Sequence, residues 1–260
     1  MPRILVLSDI HGNLPALEAV LEAARGWDEV VVLGDLVDYG PWPGEVIDEL
    51  RGLGASIVRG NHDHAVAYGV DCRCGEATHW LSTWFRSNVT LRLLDKASIS
   101  FLRSLPTRLE TEIAGARAVL VHAAPSNPLY TYLHPWLGDD RLCSLLRPGL
   151  RLAGGGEGVD CPRGLYLVGH THHQFYRTVN GAVVANPGSV GQPRDGDPRA
   201  AYMVLDDSTG LIALGRVKYD VGRVLQGLGE LGVPEPYLGA LKYMLVNARI
   251  PPRRAPAANP

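Results

Sequence analysis

The chain has 260 residues, of which 46% are hydrophobic and 20% charged, and its formal net charge is −2. That length suits an α/β domain with insertions, and a core of that size needs no disulfides to hold it. The near-neutral charge argues against a polyanion-binding surface, so bulk DNA or RNA is not the expected partner.

The chain opens directly onto an apolar run at residues 4–7, short and polar-bounded, which reads as a buried strand. No long apolar stretch of the signal-peptide kind precedes it, and no run approaches membrane-spanning length. Leu14, Leu17, Leu21 and Ala24 then recur at helical spacing, with Asn13 placed to cap and Pro15 tolerable in the first turn. Residues 29–33 form a second strand, residues 44–53 a second helix entered through Pro41 and Pro43, and residues 55–58 a third strand. This βαβαβ order predicts a parallel sheet covered by helices. Residues 64–106 carry Trp80, Trp84, Phe85, Leu91, Leu94, Phe101 and Leu102 at helical spacing, which predicts an insertion of two or three helices. A hairpin follows, 109–113 with 118–121 around Gly115. Residues 124–164, rich in Pro, Gly and aromatics, predict a long loop excursion with one short helix near 141–146.

Strands resume at 165–168, 174–178, 182–185, 201–205 and 211–217, with Asn180-Gly181 as a hairpin turn. Residues 221–231 read as a helix, and helical patterning continuing to 247 suits internal packing or a homo-oligomer contact. Residues 1–250 thus read as one domain, and 251–260, rich in Pro and Arg, as a frayed tail. The four cysteines form no paired CxxC units, and Cys72 and Cys74 stand too close for an easy disulfide. Reduced thiols and a cytoplasmic setting are the expectation.

Chemistry-bearing residues sit where these strands end. After the first three come Ser8-Asp9-Ile10-His11, Gly34-Asp35-Leu36-Val37-Asp38 and Gly60-Asn61-His62-Asp63. Two later strands run into His122 and into Gly169-His170-Thr171-His172. In an open parallel sheet, consecutive strand ends lie side by side and form the ligand crevice. Carboxylate and imidazole groups suit Mn, Fe and Zn, and a carboxylate can bridge two cations. In an extended His170-Thr171-His172, the two imidazoles would point the same way. The glycines before Asp35, Asn61 and His170 would let the backbone turn sharply. Any one segment alone is more simply a turn or a satisfied histidine. Five of them, each directly after a strand, point to a cage for two metal ions.

The series DxH, GDxxD, GNHD, strand-terminal His and GHTH resembles the calcineurin-like metallophosphoesterase superfamily. Gly34-Asp35-Leu36-Val37-Asp38-Tyr39-Gly40-Pro41 and Asn186-Pro187-Gly188-Ser189-Val190-Gly191 look like its prokaryotic phosphodiesterase branch. The resemblance implies a four-layer αββα sandwich, here with the helical insertion and a C-terminal helical extension. It implies one metal on Asp9, His11, Asp35 and His172, and a second on Asp35, Asn61, His122 and His170, with Asp35 bridging. The cofactors implied are two divalent or trivalent ions, manganese first, with iron, zinc or nickel as alternatives.

Such a pair of cations activates water and clamps an in-line displacement at phosphorus. His62 follows a ligand and is free to protonate a leaving group or stabilise the transition state, oriented by Asp63 or Asp38. His62 and Asp63 are therefore the candidate catalytic residues. The expected substrate is a small phosphorylated metabolite, in first place a nucleotide. A serine/threonine protein phosphatase normally carries an arginine where Tyr39 stands and a glutamate where Asp63 stands, so a phosphoprotein substrate is disfavoured. A non-catalytic interaction module on the same fold, as in the retromer scaffold subunit, is disfavoured because every ligand position is filled. Tyr39, Tyr132 and Arg194 are the candidate substrate contacts. Tyr130, Tyr132, His134 and Trp136 suit stacking on a ring or simple loop packing, and Arg194 suits a phosphate contact or a solvated surface.

Overall fold

Successive residues of a strand face opposite ways, and the first strand is apolar on both sides, so it needs a cover on each. The computed structural model describes residues 2–148 and 161–252. Its elements run β1 (Arg3–Leu7), α1 (Leu14–Ala23), β2 (Glu29–Val32), α2 (Pro43–Gly52), β3 (Ser56–Ile57), α3 (Asn61–Tyr68) and α4 (Glu76–Phe85). A π-helical turn (Arg86–Thr90) leads into α5 (Leu91–Leu93) and α6 (Lys96–Ser104). There follow β4 (Arg108–Ile113), β5 (Ala116–Val121), α7 (Asp139–Leu145), β6 (Gly164–Leu167), β7 (Gln174–Val179) and β8 (Ala182–Pro187). Last come β9 (Ala200–Asp206), β10 (Leu211–Val217), α8 (Val221–Glu230) and α9 (Tyr237–Asn247).

The strands form two five-stranded sheets, β10-β9-β1-β2-β3 and β4-β5-β6-β8-β7. On one side of β1, Leu5 and Leu7 pack with Leu17 and Val20 of α1 and Ile47 and Leu50 of α2. On the other side, Ile4 and Val6 meet Ala118, Leu120, Leu165 and Leu167 of the second sheet. The outer side of that sheet, with Val119, Val121, Tyr166 and Val184, is covered by Leu133 and by Leu142 and Leu145 of α7. Helix, sheet, sheet and helix are the four layers implied by the resemblance.

The early βαβαβ unit is parallel as expected, but neither sheet is purely so: β9 runs antiparallel to β1, and β7 to β8. The third strand is shorter than predicted, because Val58 still donates to Val32 O at 3.0 Å while Arg59 turns away to Pro106 O at 2.7 Å. The helical insertion begins at Asn61 and not at 64. Gly60-Asn61 reads as a turn in sequence, yet Gly60 is the N-cap of α3 and accepts the amide of His64 at 2.9 Å. Asn13 caps α1 by accepting from Ala16 N at 3.2 Å. The C-terminal helices pack internally: Val224, Leu228, Leu241 and Met244 join Leu81, Phe85 and Tyr39 in one cluster, and Trp84 stacks on Tyr237.

Cys143 and Cys161 are joined by a disulfide, which corrects the expectation of reduced thiols throughout. Cys143 lies on α7, and Cys161 just precedes β6, so packing α7 against the outer side of the second sheet brings the pair together. Nothing in the local sequence signals that contact, and the bridge removes the argument for a reducing compartment. Of the expected tail, residues 253–260 lie outside the described residues, as do residues 149–160 of the loop excursion. Among the described residues no helix is long and apolar enough to cross a membrane.

Leu17→Ala should lower unfolding free energy by about 2–5 kcal/mol, because Leu17 is fully buried and its cavity cannot fill. Leu211→Ala, at a residue that is 63% exposed, should change it by less than ~0.5 kcal/mol in the same urea titration. Equal effects at the two positions would show that the burial assigned to α1 is wrong.

Candidate metal centre

The loops that leave β1, β2, β5 and β6 meet the first turn of α3 at one end of the sandwich. Their backbones are bent more sharply than the sequence suggests. Asp9, His11, Asp35, His170 and His172 all take positive φ, between 52° and 64°. Such conformations cost about 1–3 kcal/mol each for residues with a side chain and persist only where the surroundings over-determine them. They do here: Asp9 N donates to Gly34 O, His11 N to Asp35 O, Gly191 N to Asp9 O, and Ser189 Oγ to Asp9 O. His170-Thr171-His172 is therefore not the extended segment expected, although both imidazoles still reach the site. Gly34 makes a positive-φ turn, as anticipated. Gly60 and Gly169 serve a different purpose: a Cβ would overlap the Asp35 carboxylate at one and Ser8 Oγ at the other.

Two buried groups of donor atoms result, Asp9–His11–His172 and Asp35–His122–His170, each with its atoms within 4.8 Å of one another. Asp35 Oδ2 lies 3.3 Å from His122 Nε2 and 3.8 Å from His11 Nε2, so it stands between them. Asn61 Oδ1 is 2.9 Å from His122 Nε2, and its amide nitrogen donates to Cys72 O at 2.8 Å, which turns the oxygen inward.

Which ring nitrogens carry protons follows from their outer partners. The Nδ1 atoms of His11, His122 and His172 face the carbonyls of Val37, Leu33 and Gln192 at 2.9, 2.7 and 2.6 Å. A carbonyl only accepts, so Nδ1 is the donor, and at His11 and His172, whose rings stay neutral, Nε2 presents a lone pair. Those lone pairs then confront each other and carboxylate oxygens: His11 Nε2 to His172 Nε2 at 3.4 Å, and His172 Nε2 to Asp9 Oδ1 at 3.2 Å. Asp9 Oδ1 has no hydrogen-bond donor at all. Buried acceptors pointed at one another repel unless a cation lies between them. The donor set therefore fits metal ions, of the N/O type.

The protonation tendencies are those of the same cluster. Burial pushes Asp9 up to about 6 and His11 down to about 3. Burial also opposes charge on Asp35 and His122, but each is the other's ion partner: Asp35 is held well below the carboxylate range, and His122 rises to about 9. His170 and His172 are driven well down by burial, then by the neighbouring charges of His122 and Arg194 respectively.

His62 belongs to neither of these two groups. Its Nδ1 is 2.8 Å from Asp38 Oδ2, and its ring lies 5.1 Å from that of His11, edge to face. Burial works against its protonated form, but the charge of Asp35 and the bond to Asp38 raise its pKa above the ordinary histidine value. Asp38 is itself clamped: Arg86 donates to Oδ2 at 2.6 and 3.0 Å, and Thr90 Oγ1 donates to Oδ1 at 2.8 Å. Arg86 and Thr90 bound the π-helical turn, an irregularity frequently found at functional sites. Neither residue was singled out from sequence, because nothing in that apolar-patterned stretch marks a π-turn.

Asp63 does not touch His62. Its carboxylate accepts the backbone N–H groups of Asp35, Leu36 and Gly60 at 2.8, 2.8 and 2.9 Å. The expected catalytic partner is therefore a brace for the Asp35 loop, and Asp38 takes the orienting position. Tyr39 is buried against His11 and His62, and its hydroxyl has no hydrogen-bond partner. Tyr132 stacks on His170 at 4.0 Å, and its hydroxyl accepts from Gly75 N. Arg194 points inward, bonded to Gln192 Oε1 at 2.7 Å, close enough for its charge to act on Asp9, His11 and His172. The Asn186 to Gly191 loop braces the others: Asn186 Nδ2 donates to Gly169 O and Thr171 Oγ1, and Asn13 Nδ2 donates to Gly191 O.

Fold and site together define a metallophosphoesterase, a hydrolase of phosphate esters. The chain belongs to the calcineurin-like phosphoesterase superfamily, whose domain model matches residues 3–210. It is 32% identical to the uncharacterized protein MJ0912 of Methanocaldococcus jannaschii, over 93% of this chain and 97% of that one. A crystal structure of a metallophosphoesterase from Sphaerobacter thermophilus is 31% identical, with a TM-score of 0.72 over 92% of this chain and 98% of that chain. A shorter match, 38% identical over 78 residues, joins 25% of this chain to 42% of the phosphodiesterase YfcE of Escherichia coli.

Asp63→Ala should cost several kcal/mol of stability, at ~1–3 kcal/mol for each of the buried amides it strands. Thermal unfolding of the metal-free protein should show the loss. Wild-type stability combined with loss of turnover alone would return Asp63 to a catalytic role.

Proposed function

We propose that the protein hydrolyses phosphodiester or phosphomonoester bonds of a small metabolite, with a nucleotide as the favoured class, at a centre of two metal ions. The observation that supports this most directly is the convergence of two donor groups on Asp35, with a protonatable His62 beside them and outside both. One ion falls to Asp9, His11, Asp35 and His172, the other to Asp35, Asn61, His122 and His170. Manganese is the proposed metal, with iron, zinc or nickel compatible with the same N/O donors. Ions bound there supply Lewis acidity, an activated water and neutralisation of the phosphoryl oxygens.

The chain's own residues do the rest. Asp38 fixes the Nδ1 proton of His62 and leaves Nε2 to give a proton to the departing oxygen. Arg86 and Thr90 hold Asp38 in place and keep it ionised: although burial opposes its charge, it is held below the carboxylate range by His62 and Arg86. The Tyr39 hydroxyl and the Arg194 guanidinium face the same space and suit phosphoryl oxygens. Tyr132, His134 and Trp136 form a ladder of stacked rings rising from His170, and Trp136 at its far end is 65% exposed. A base or other flat group suits that face. The local likeness to a phosphodiesterase supports the diester reading. Tyr39, buried where protein phosphatases carry an arginine, weighs against a phosphoprotein substrate.

With manganese, the purified protein should hydrolyse bis-p-nitrophenyl phosphate and lose that activity on chelation. A panel of cyclic nucleotides, nucleoside monophosphates, dinucleoside polyphosphates and phosphopeptides then separates the substrate classes, and turnover of phosphopeptides alone would overturn this preference. His62→Ala should keep two metal ions per chain and lose roughly 10²–10⁴ in kcat, the usual contribution of a positioned acid. Loss of metal in place of turnover would show that His62 is a ligand.

A further inference from the structure

Beside His62 lies a pair of thiols that the hydrolytic reading does not use. Cys72 and Cys74 are both buried free thiols, and with a His62 ring nitrogen they form a third group of potential ligand atoms within 4.8 Å. The two sulfurs are 2.8 Å apart, and Ser82 Oγ lies 3.4 and 3.0 Å from them. The intervening Arg73 takes a positive φ of 49°, which folds the loop back and sets both sulfurs on one side. Arg86, which clamps Asp38 beside His62, brings a positive charge near Cys72.

The spacing decides between two chemistries. Two thiolates at ~2.3 Å from one tetrahedral zinc ion stand about 3.8 Å apart. The pair here is much closer than that, and the positive charge of Arg86 nearby disfavours an added cation. A bonded pair of sulfurs stands at ~2.05 Å, so closure needs a movement of less than about 1 Å. We infer that Cys72 and Cys74 are a peroxide-sensitive dithiol that closes to a disulfide and thereby disturbs the hydrolytic site.

The chemistry balances with a hydroperoxide as the oxidant. Cys72 sulfur attacks the O–O bond of hydrogen peroxide, which gives a sulfenic acid and one water. Cys74 sulfur then displaces the hydroxyl, forming the S–S bond and a second water. Two electrons pass from the sulfurs to oxygen, and a dithiol reductant reverses the change.

Closure reaches the centre through two hydrogen bonds. Cys72 O accepts from Asn61 Nδ2 at 2.8 Å and sets the direction of Asn61 Oδ1. Gly75 N donates to Tyr132 OH, and Tyr132 stacks on His170. Drawing the sulfurs together moves the backbone that carries both contacts. A misplacement of ~1 Å in such a site lowers turnover by as much as about a hundredfold.

The test uses the full manganese-loaded chain and hydrogen peroxide. Trypsin cuts after Arg59, Arg73 and Arg86, so a bridge joins peptide 60–73 to peptide 74–86 at two mass units below their sum, apart from the Cys143–Cys161 bridge. The expected result is that linked pair, a roughly tenfold or greater fall in turnover, and recovery of both with dithiothreitol. Cys74→Ser should remove the linked pair and the reversible part of the activity loss. Peptides that remain separate, zinc retained on unoxidised thiols, or a linked pair with unchanged turnover would each overturn the inference. The functional half rests on the phosphoesterase reading. A protein inactive before treatment fails that reading, and the bridge itself is then decided by mass alone.

Discussion

The arrangement of lone pairs around Asp35 is the constraint on which the rest of the molecule depends. Asp9 Oδ1, Asp35 Oδ2, Asn61 Oδ1 and the Nε2 atoms of His11 and His172 are buried close together, with His122 the ion partner of Asp35. Left without cations, such a set is repulsive, and taking each charged group out of water costs several kcal/mol. The fold holds it by satisfying most of the outer atoms, although His170 Nε2 has no partner. Three backbone carbonyls take the Nδ1 protons, Ser8 and the His170 amide bind Asp9 Oδ2, and the His62 amide binds Asp35 Oδ1. Among the inward atoms, Asp9 Oδ1 is left without a donor, and it is one a metal would use.

The donors of each group come from both sheets, so the apolar layer between the sheets, with Val6, Leu33, Leu120 and Leu167, also fixes how closely the two halves of each group approach. The site is strained in its backbone, and the strain is held by cross-loop bonds rather than by regular structure. Ser189, Asn186 and Asn13 tie loops that are far apart in sequence, which gives the Asn186 to Gly191 segment a structural reason to stand where it does.

The acid–base side of the site is ordered by a chain of hydrogen bonds running outward from the proposed metals. His62 leans on Asp38, Asp38 on Arg86 and Thr90, and those two on the π-helical turn of the inserted helices. The insertion therefore fixes the orientation of His62, the proposed proton donor. It also carries Cys72 and Cys74, so the element that tunes His62 is the one with thiol chemistry beside it. The aromatic ladder from His170 to Trp136 makes the opposite wall.

Much of this was legible from residue order alone. Short apolar runs ending in Asp, His or Asn marked the strands, and the metal-friendly types after each pointed to a cage for two ions, while the division of ligands between the ions came from the family resemblance. Strand-end convergence follows from parallel βαβ geometry, so local pattern was sufficient there. The sequence could not assign roles between Asp38 and Asp63, because both lie within reach along the chain and only the path of the backbone amides separates them. Nor could it place Arg86, Thr90, the Cys143–Cys161 bridge or the closeness of Cys72 and Cys74 to His62. Those depend on a π-turn, on a helix packed against a sheet and on a positive-φ residue, none of which has a local signature. The sequence by itself determined which residues of metal-ligating type stand at the strand ends. Tertiary structure decided which atoms face inward, because that choice is made by hydrogen bonds between segments far apart in the chain.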